Sequence, residues 1–275
     1  MITKTLLSTL LTVLSAFLLS AAFISAITVF GILVTDMEPP IRLVAFTIGQ
    51  LALSGIAVWL MRKLEVFDID DFRFKGIGKG ILLAWFGIVY VIISFLIGLS
   101  QIPENSFITP NAFYLLIVVL HPFVGTGLFE EVLFRGLVLK TLLKKIGYSK
   151  RGILNACIIS SVLFGLVHTG NIVAGAAFLP TVSQIVHATA TGLFFAAVFL
   201  RTGKLLIAIL FHGLLNLSVQ IFDAIVSPDV LLQNTESQAG TDITGLIINT
   251  LFITLPILIA GLVLLRKARP DTIQG

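Results

Sequence analysis

Residues 130–135 read EEVLFR within an apolar segment, about 111–139, that is long enough to cross a lipid bilayer. Glu130, Glu131 and Arg135 each carry a charge, and a charge at the centre of a membrane helix costs roughly 2.5 to 3.5 kcal/mol on insertion scales. Such residues are tolerated where they are paired inside a protein bundle or line a wet cavity. The segment therefore predicts a functional site within a membrane-embedded bundle.

The rest of the chain has the composition of a multi-pass membrane protein. Of its 275 residues, 57% are hydrophobic and 12% are charged, about half the charged fraction of soluble domains. Its apolar segments each approach the ~20 residues that a spanning helix needs, and they cover about 6–34, 41–61, 77–99, 111–139, 152–168, 179–200, 204–226 and 243–265. We predict a single all-α domain over 1–275, a polytopic transmembrane bundle of about eight helices with a central intramembrane cavity. Within it, we expect 1–105 to form scaffold helices, 106–226 the catalytic core, and 227–275 an outer loop and the last helix.

The basic residues predict the orientation of this bundle. All Lys and Arg residues except Arg42 and Arg135 precede the first segment, follow the last, or lie in or at the edges of alternate connections between segments. By the positive-inside rule both termini are cytoplasmic, and the acidic connection 227–242 lies outside. The net charge of +4 is explained by this topology, so no nucleic-acid partner is expected. We predict an integral membrane protein, in the cell membrane if the chain is bacterial.

The three charges of residues 130–135 divide into a pair and a free acid. Glu131 and Arg135 are four residues apart and share one helix face, so they can form an ion pair. Glu130 is rotated by about 100° from Glu131 and points elsewhere. It is the carboxylate left free for a proton, a water or a metal. The alternative is a buried ionic cluster of all three residues with no chemistry.

Two further segments carry polar residues that fit the same chemistry. His168 ends the fifth segment, and His212 and Asn216 share one face of the seventh. Imidazole and carboxylate groups are common general bases and metal ligands. We expect His121, which precedes Pro122, to be structural, and His187 in the sixth segment to be structural or accessory.

The order of these motifs resembles the CPBP family, the CAAX proteases and bacteriocin-processing enzymes also called Abi proteins, which include the Ras-converting prenyl-protein endopeptidase. The resemblance runs from about residue 110 to 222. It rests on three motifs, Glu-Glu-x-x-x-Arg (Glu130, Glu131, Arg135), Phe-x-x-x-His (Phe164, His168) and His-x-x-x-Asn (His212, Asn216).

This resemblance implies an intramembrane endopeptidase of eight helices with a cavity open to the cytoplasmic side. Carried over by position, Glu130 would activate the attacking water, and His168 would position it or share its proton. His212 and Asn216 would stabilise the oxyanion, and the ion pair of the fourth segment would support the site. The chemistry is consistent with this, because peptide hydrolysis needs a base close to a water and donors aimed at the developing oxyanion.

The sequence leaves the use of a metal open. Glu130, His168 and His212, with one vacant position, would match the ligand set of a hydrolytic zinc site. However, the chain has no His-Glu-x-x-His motif, in which one helix holds both imidazoles. A metal-free mechanism based on glutamate and histidine is the alternative. The single cysteine, Cys157, excludes a cysteine-based zinc cluster.

The expected substrate is a membrane protein or peptide in the bilayer, with or without a prenyl group. Two other functions are compatible with the same residues. One is an immunity or binding protein of the same fold that does not cleave its partner. The other is a proton-coupled transporter, since carboxylate and histidine side chains also form proton relays, although the sequence lacks the paired broken helices and repeats common in transporters.

Overall fold

The computed structural model describes residues 2–34, 36–100, 102–173, 175–226 and 243–268, with side chains from residue 11 onward. These residues are almost entirely helical and contain no β-strand, which confirms the predicted all-α class. The predicted outer connection 227–242 and Arg269 lie outside the described residues.

The main helices follow the apolar segments. They are α1 (Ile2–Leu33), α2 (Pro39–Lys63), α3 (Ile77–Leu83), α4 (Trp85–Ser100), α5 (Ala112–Ile146), α6 (Lys150–Val173), α7 (Phe178–Thr202), α8 (Leu205–Ile225) and α9 (Ile243–Arg266). Seven of the described helices are long and apolar enough to span a membrane, and α3 with α4 makes an eighth if the bent pair is one span. The chain is therefore a multi-pass membrane protein.

The third apolar segment is not the straight helix that we expected. α3 and α4 meet at a bend of 67° around Ala84. Two glycines let these short helices approach α8 closely, because a Cβ on Gly80 would meet Ile207 and one on Gly87 would meet Phe211 at 2.8 Å. Each of the two short helices therefore packs against α8, and their axes differ in direction by 67°.

Helix α5 departs from regular α geometry on both sides of Glu130 and Glu131. It contains π-helical segments over Pro122–Gly127 and Val132–Leu139, with Leu128–Glu131 between them. Such irregularities are often found at functional sites. A Cβ on Gly127 would lie 3.2 Å from the carbonyl oxygen of Ile209, so the backbones of α5 and α8 almost touch there. This close approach brings the two glutamates of α5 beside His212 of α8.

Helix α7 occupies the middle of the bundle, packed against α6 on one side and α9 on the other. Its small residues at four-residue spacing, Ala188, Gly192 and Ala196, are buried in these contacts. Small residues at this spacing allow helix backbones to approach closely.

The connection between α2 and α3 is tied to the basic ends of other helices. It forms a short 3₁₀ turn, Ile69–Phe72, in which buried Asp71 accepts a hydrogen bond from Lys140 at 2.8 Å. Exposed Glu65 pairs with Lys144 at 2.9 Å. The connection therefore lies across the end of the bundle where α5 finishes.

Candidate active site

The centre of the site is a fully buried ion pair on α5. Arg135 Nη1 donates to Glu131 Oε1 at 2.9 Å, the pairing that their spacing predicts. Arg135 Nη2 donates to the carbonyl oxygen of Gly192 on α7 at 3.0 Å. A side chain at position 192 would crowd this contact, since a Cβ there would lie 3.1 Å from Nη2. The glycine thus allows the guanidinium to reach the backbone of α7.

Two aromatic rings cover the guanidinium of Arg135. Its Cζ lies 4.5 Å from the ring centre of Phe164 and 5.6 Å from that of Phe195. A cation over an aromatic face is stabilised by the negative charge of the π-system, and more so away from water. The arginine is therefore held by a carboxylate, a carbonyl and two rings.

His212 lies between the two glutamates. Its Nδ1 is 2.8 Å from Glu131 Oε1 and its Nε2 is 3.4 Å from Glu130 Oε2. The same carboxylate oxygen accepts from Arg135, so the hydrogen bond with His212 is made by Nδ1–H as the donor. The ring also stacks on Phe195, with centres 5.3 Å apart. The position and tautomer of the imidazole are both determined by these contacts.

The four groups contain one buried ion pair, Glu131 with Arg135. Its pairing offsets part of the cost of burying these charges at membrane depth. Among the four, Glu130 is the most accessible, with 16% of its side chain exposed.

The other predicted residues lie next to this set. His168 Nδ1 is 3.1 Å from the carbonyl oxygen of Phe164, and both histidine rings contact the Phe164 ring, at 5.5 Å for His168 and 5.8 Å for His212. No hydrogen bond or ion pair joins His168 to Glu130 in the described part of the chain. The imidazole that contacts Glu130 is that of His212, which the close approach of α8 to α5 brings beside it. The role expected for His168 at the attacking water stays a prediction.

A cavity of about 520 Å³ opens beside the site. It is lined by His168, His212 and Asn216, and by residues of α4, α7 and α9. Glu130 is not among the lining residues; the imidazole of His212 connects it to the cavity. Four of the six predicted site residues therefore meet at one place, and the other two face it through this space.

The cavity lies nearer one end of the helices. Gly98, Gln184 and Asn249, which line it, all lie close to helix ends joined by connections without Lys or Arg. With the orientation that the basic residues predict, these ends face outside. The cytoplasmic opening implied by the resemblance and the positive-inside orientation therefore do not agree in this structure.

The predicted zinc ligands do not form a metal site. The described residues contain no group of three or more His, Cys, Asp and Glu side chains placed to hold a metal ion. The donor set of Glu130, His168 and His212 does not fit the metal in this arrangement.

Tyr90 and Phe195 are among the residues of the cavity wall that were not predicted as part of the site. Tyr90 of α4 lies with its hydroxyl 2.9 Å from Nε2 of His187, and its ring stacks on that imidazole. Phe195 covers both His212 and Arg135. In the sequence, the polar hydroxyl of Tyr90 in the middle of an otherwise apolar segment was the one feature that could have predicted α4 as a wall of the cavity.

His121 belongs to a separate polar cluster. Its Nδ1 is 2.8 Å from Thr47 Oγ1 and its Nε2 is 3.1 Å from Thr126 Oγ1. The histidine is buried and is not among the residues that line the 520 Å³ cavity. Its predicted structural role agrees with this position.

Comparison with known proteins gives one match. Residues 109–218 match the family model described as Type II CAAX prenyl endopeptidase Rce1-like. The matched region includes all six predicted site residues. No curated protein and no solved structure gives a significant match.

Proposed function

We propose that this chain, whose residues 109–218 match the family of type II CAAX prenyl endopeptidases, hydrolyses a peptide bond of a membrane-associated substrate with a water activated by Glu130. The observation that carries the proposal is the position of His212, held by Glu131 at 2.8 Å with its other nitrogen 3.4 Å from Glu130. A carboxylate that fixes one imidazole nitrogen and leaves the other toward the reacting groups is a recurring hydrolytic arrangement.

In this mechanism Glu130 takes a proton from the water as its oxygen attacks the substrate carbonyl carbon. His212, protonated at both nitrogens, donates from Nε2 to the oxyanion that forms, and Asn216 supplies a second donor from the same face of α8. Glu130 then gives its proton to the leaving amine, which departs with it. Such electrostatic stabilisation is strong where water is excluded.

The remaining residues act through these groups. Glu131 fixes the orientation of the His212 ring and stabilises its positive charge, and Arg135 supplies the counter-charge of Glu131. His168 faces the same cavity across Phe164 and is proposed to position the substrate. No step is assigned to a metal, because the donor set does not gather at one point.

The proposal is tested by cleavage in liposomes that contain the purified chain and a library of membrane peptides. We expect hydrolysis by the wild type and a loss of about 10²-fold or more in Glu130→Gln, the usual contribution of a general base. His212→Ala should lose activity similarly. Cleavage that persists in both variants would exclude this mechanism, and proton-driven uptake of a solute without cleavage would favour a transporter.

A further inference from the structure

The ring of Phe195 on α7 contacts two polar groups of the site at once. It stacks on the imidazole of His212, with ring centres 5.3 Å apart and planes that differ by 22°. The guanidinium carbon of Arg135 lies 5.6 Å from the centre of the same ring. Phe195 is almost fully buried and forms part of the wall of the 520 Å³ cavity. The proposed mechanism assigns it no step.

The hydrophobic effect alone does not explain an aromatic ring in this place. In a bundle surrounded by lipid, a phenylalanine that faces the hydrocarbon is as well accommodated as one that faces another helix. Phe195 instead packs in the interior against an arginine and a histidine. Aromatic faces attract cations and stack on other flat rings, so both contacts are favourable in themselves.

A hydrogen bond from α5 fixes the part of α7 that carries this ring. Arg135 Nη2 donates to the carbonyl oxygen of Gly192 at 3.0 Å, and Gly192 lies three residues before Phe195. Residues three apart lie on the same face of a helix, so α7 presents this carbonyl and the ring to α5 together. The position of the ring is therefore tied to Arg135, whose partner Glu131 contacts the imidazole of His212.

The imidazole of His212 needs a restraint besides Glu131. The torsion that turns a histidine ring is broad, with two minima about half a turn apart. The contact of Nδ1 with Glu131 at 2.8 Å selects one minimum, but a tilt of the ring within that minimum still moves Nε2. Nε2 lies 3.4 Å from Glu130, already beyond the usual range of about 2.7 to 3.2 Å for such a hydrogen bond. A further tilt would break this contact.

We propose that Phe195 is a positioning residue, whose ring keeps the imidazole of His212 in the plane from which Nε2 reaches Glu130 and the developing oxyanion. Because Phe195 packs flat against the imidazole, it opposes the tilt that the hydrogen bond to Glu131 leaves possible. Its part in the reaction rests on the proposed function. The order of the imidazole, however, can be measured without cleavage.

Phe194 provides a matched control. It is as deeply buried as Phe195, and it packs toward Gly87 of α4. Its ring touches that of Phe195, but in the described part of the chain no ring or cation contact joins it to His212 or Arg135. Phe194→Leu and Phe195→Leu each remove one buried ring, so both should lower the unfolding temperature in detergent to a similar extent.

Nitrogen NMR of protein labelled at histidine measures the order of the imidazole. The chain has four histidines, so the signals of His212 are identified by their loss in His212→Ala. In the full chain in detergent micelles, we expect a resolved signal from the Nδ1 proton of His212 in the wild type and in Phe194→Leu. In Phe195→Leu the imidazole samples more orientations, so this signal should broaden or disappear.

Kinetics measure the consequence for the reaction. One peptide that the wild type cleaves in liposomes is used for all variants at a single pH. Phe195→Leu should lower kcat about tenfold or more with little change in KM, because a misplaced donor weakens the transition state and not the binding of substrate. Phe194→Leu should keep the wild-type kcat. Phe195→Met and Phe194→Met, which leave smaller cavities, replace the leucine pair if either leucine variant does not fold.

The outcomes separate the role of Phe195 from the proposed function. An unchanged His212 signal in Phe195→Leu overturns the positioning role, and so does an equal loss of kcat in the two leucine variants. A lost signal with an unchanged kcat also overturns it. A signal that is lost in Phe195→Leu alone, in a protein that cleaves no peptide of the library, supports the restraint on His212 and contradicts the protease.

Discussion

The Nδ1 atom of His212 lies 2.8 Å from the Oε1 atom of Glu131, the same oxygen that Arg135 contacts at 2.9 Å. One carboxylate oxygen therefore receives hydrogen bonds from two helices. Because Glu131 is fully buried, the loss of either donor changes the balance of charge in a region without water to compensate. Glu131 connects the stability of the bundle to the geometry of the site.

Glu131→Gln is expected to lower both stability and activity. The substitution leaves the guanidinium of Arg135 without its counter-charge in a buried position, a change that typically costs about 3–5 kcal/mol. Thermal unfolding in detergent measures the loss, beside Glu130→Gln as the matched variant. Glu130 has no arginine partner, so its substitution should abolish cleavage with a much smaller change in unfolding temperature. Equal destabilisation by the two substitutions would contradict this division of roles.

Gly192→Ala is expected to disturb the site from α7. The added Cβ would lie 3.0 Å from the Phe164 ring and 3.1 Å from Arg135 Nη2. Overpacking of this kind costs about 1–3 kcal/mol, and it should weaken the hydrogen bond of Arg135 to the Gly192 carbonyl. Gly55→Ala in α2 is the control, because a Cβ there meets nothing within 4 Å. Unfolding temperatures should fall for the first variant and stay level or rise for the second; a level result for Gly192→Ala would argue against a tight contact.

Local spacing was enough to predict part of this site. The Glu131–Arg135 pair is set by one helix, and four residues bring the two side chains to the same face whether the turn is α or π. The contact of His212 with both glutamates depends on how closely α8 approaches α5 at Gly127. The distance between the two helices cannot be predicted from the motifs of either helix. The sequence therefore predicted the participants, but not that His212 rather than His168 would face Glu130.

The break in the third span was also beyond the sequence pattern. Residues 77–99 are apolar throughout, and hydropathy does not distinguish a straight span from a bent pair. The bend depends on two glycines, Gly80 and Gly87, whose partners on α8 are distant in sequence. Tyr90 reaches the cavity as a consequence, which makes a predicted scaffold helix part of the site wall.

Asp71 is expected to make stability depend on pH. Burial raises the pKa of this carboxyl above its usual value of about 3.9, although the hydrogen bond and charge of Lys140 act to lower it. A raised pKa in the folded state means that the folded protein binds the proton more tightly, so its contribution is present at low pH and lost as pH rises through the raised value. Asp71→Asn should remove this part of the pH dependence, measured as unfolding temperature from acid to neutral pH.

Glu65→Gln gives a control of opposite sign. Its hydrogen bond to Lys144 lowers the pKa of Glu65, so its contribution is present above the ordinary pKa and lost as pH falls. The pair is exposed and screened by solvent, so the effect should be small.

For Asp71, an unfolding temperature whose pH dependence is unchanged by Asp71→Asn would contradict the prediction. It would show that the hydrogen bond and charge of Lys140 fully offset the effect of burial on the pKa of Asp71.

Chelation is expected to leave cleavage unchanged. The donor groups of the described residues are not gathered to hold a metal. Activity of the purified chain after treatment with a chelator, with metal analysis of the same sample, measures this directly. Stoichiometric zinc that is lost together with activity, and restored with it, would show that the site rearranges around a metal.

The side of the membrane that the cavity faces can be decided with single cysteines. Cys157 is the one cysteine of the chain and is buried, so a Cys157→Ala background provides a protein without thiols. Gln184→Cys then reports on the cavity end of α7, and Lys145→Cys, exposed at the basic end of α5, reports on the opposite side. In intact cells we expect a membrane-impermeant thiol reagent to label Gln184→Cys, and to label Lys145→Cys only after permeabilisation.

This labelling pattern is expected if the positive-inside rule sets the orientation. Lys140, Lys144 and Lys145 lie at the end of α5, and the rule places this basic end in the cytoplasm. The reversed pattern would place the basic connections outside and the cavity end in the cytoplasm. That outcome would restore the opening that the family resemblance implies, and substrates would then approach from the cytoplasmic face. Labelling of both cysteines before permeabilisation would mean that water reaches Gln184 and Lys145 from one side, which a bundle of spanning helices does not allow.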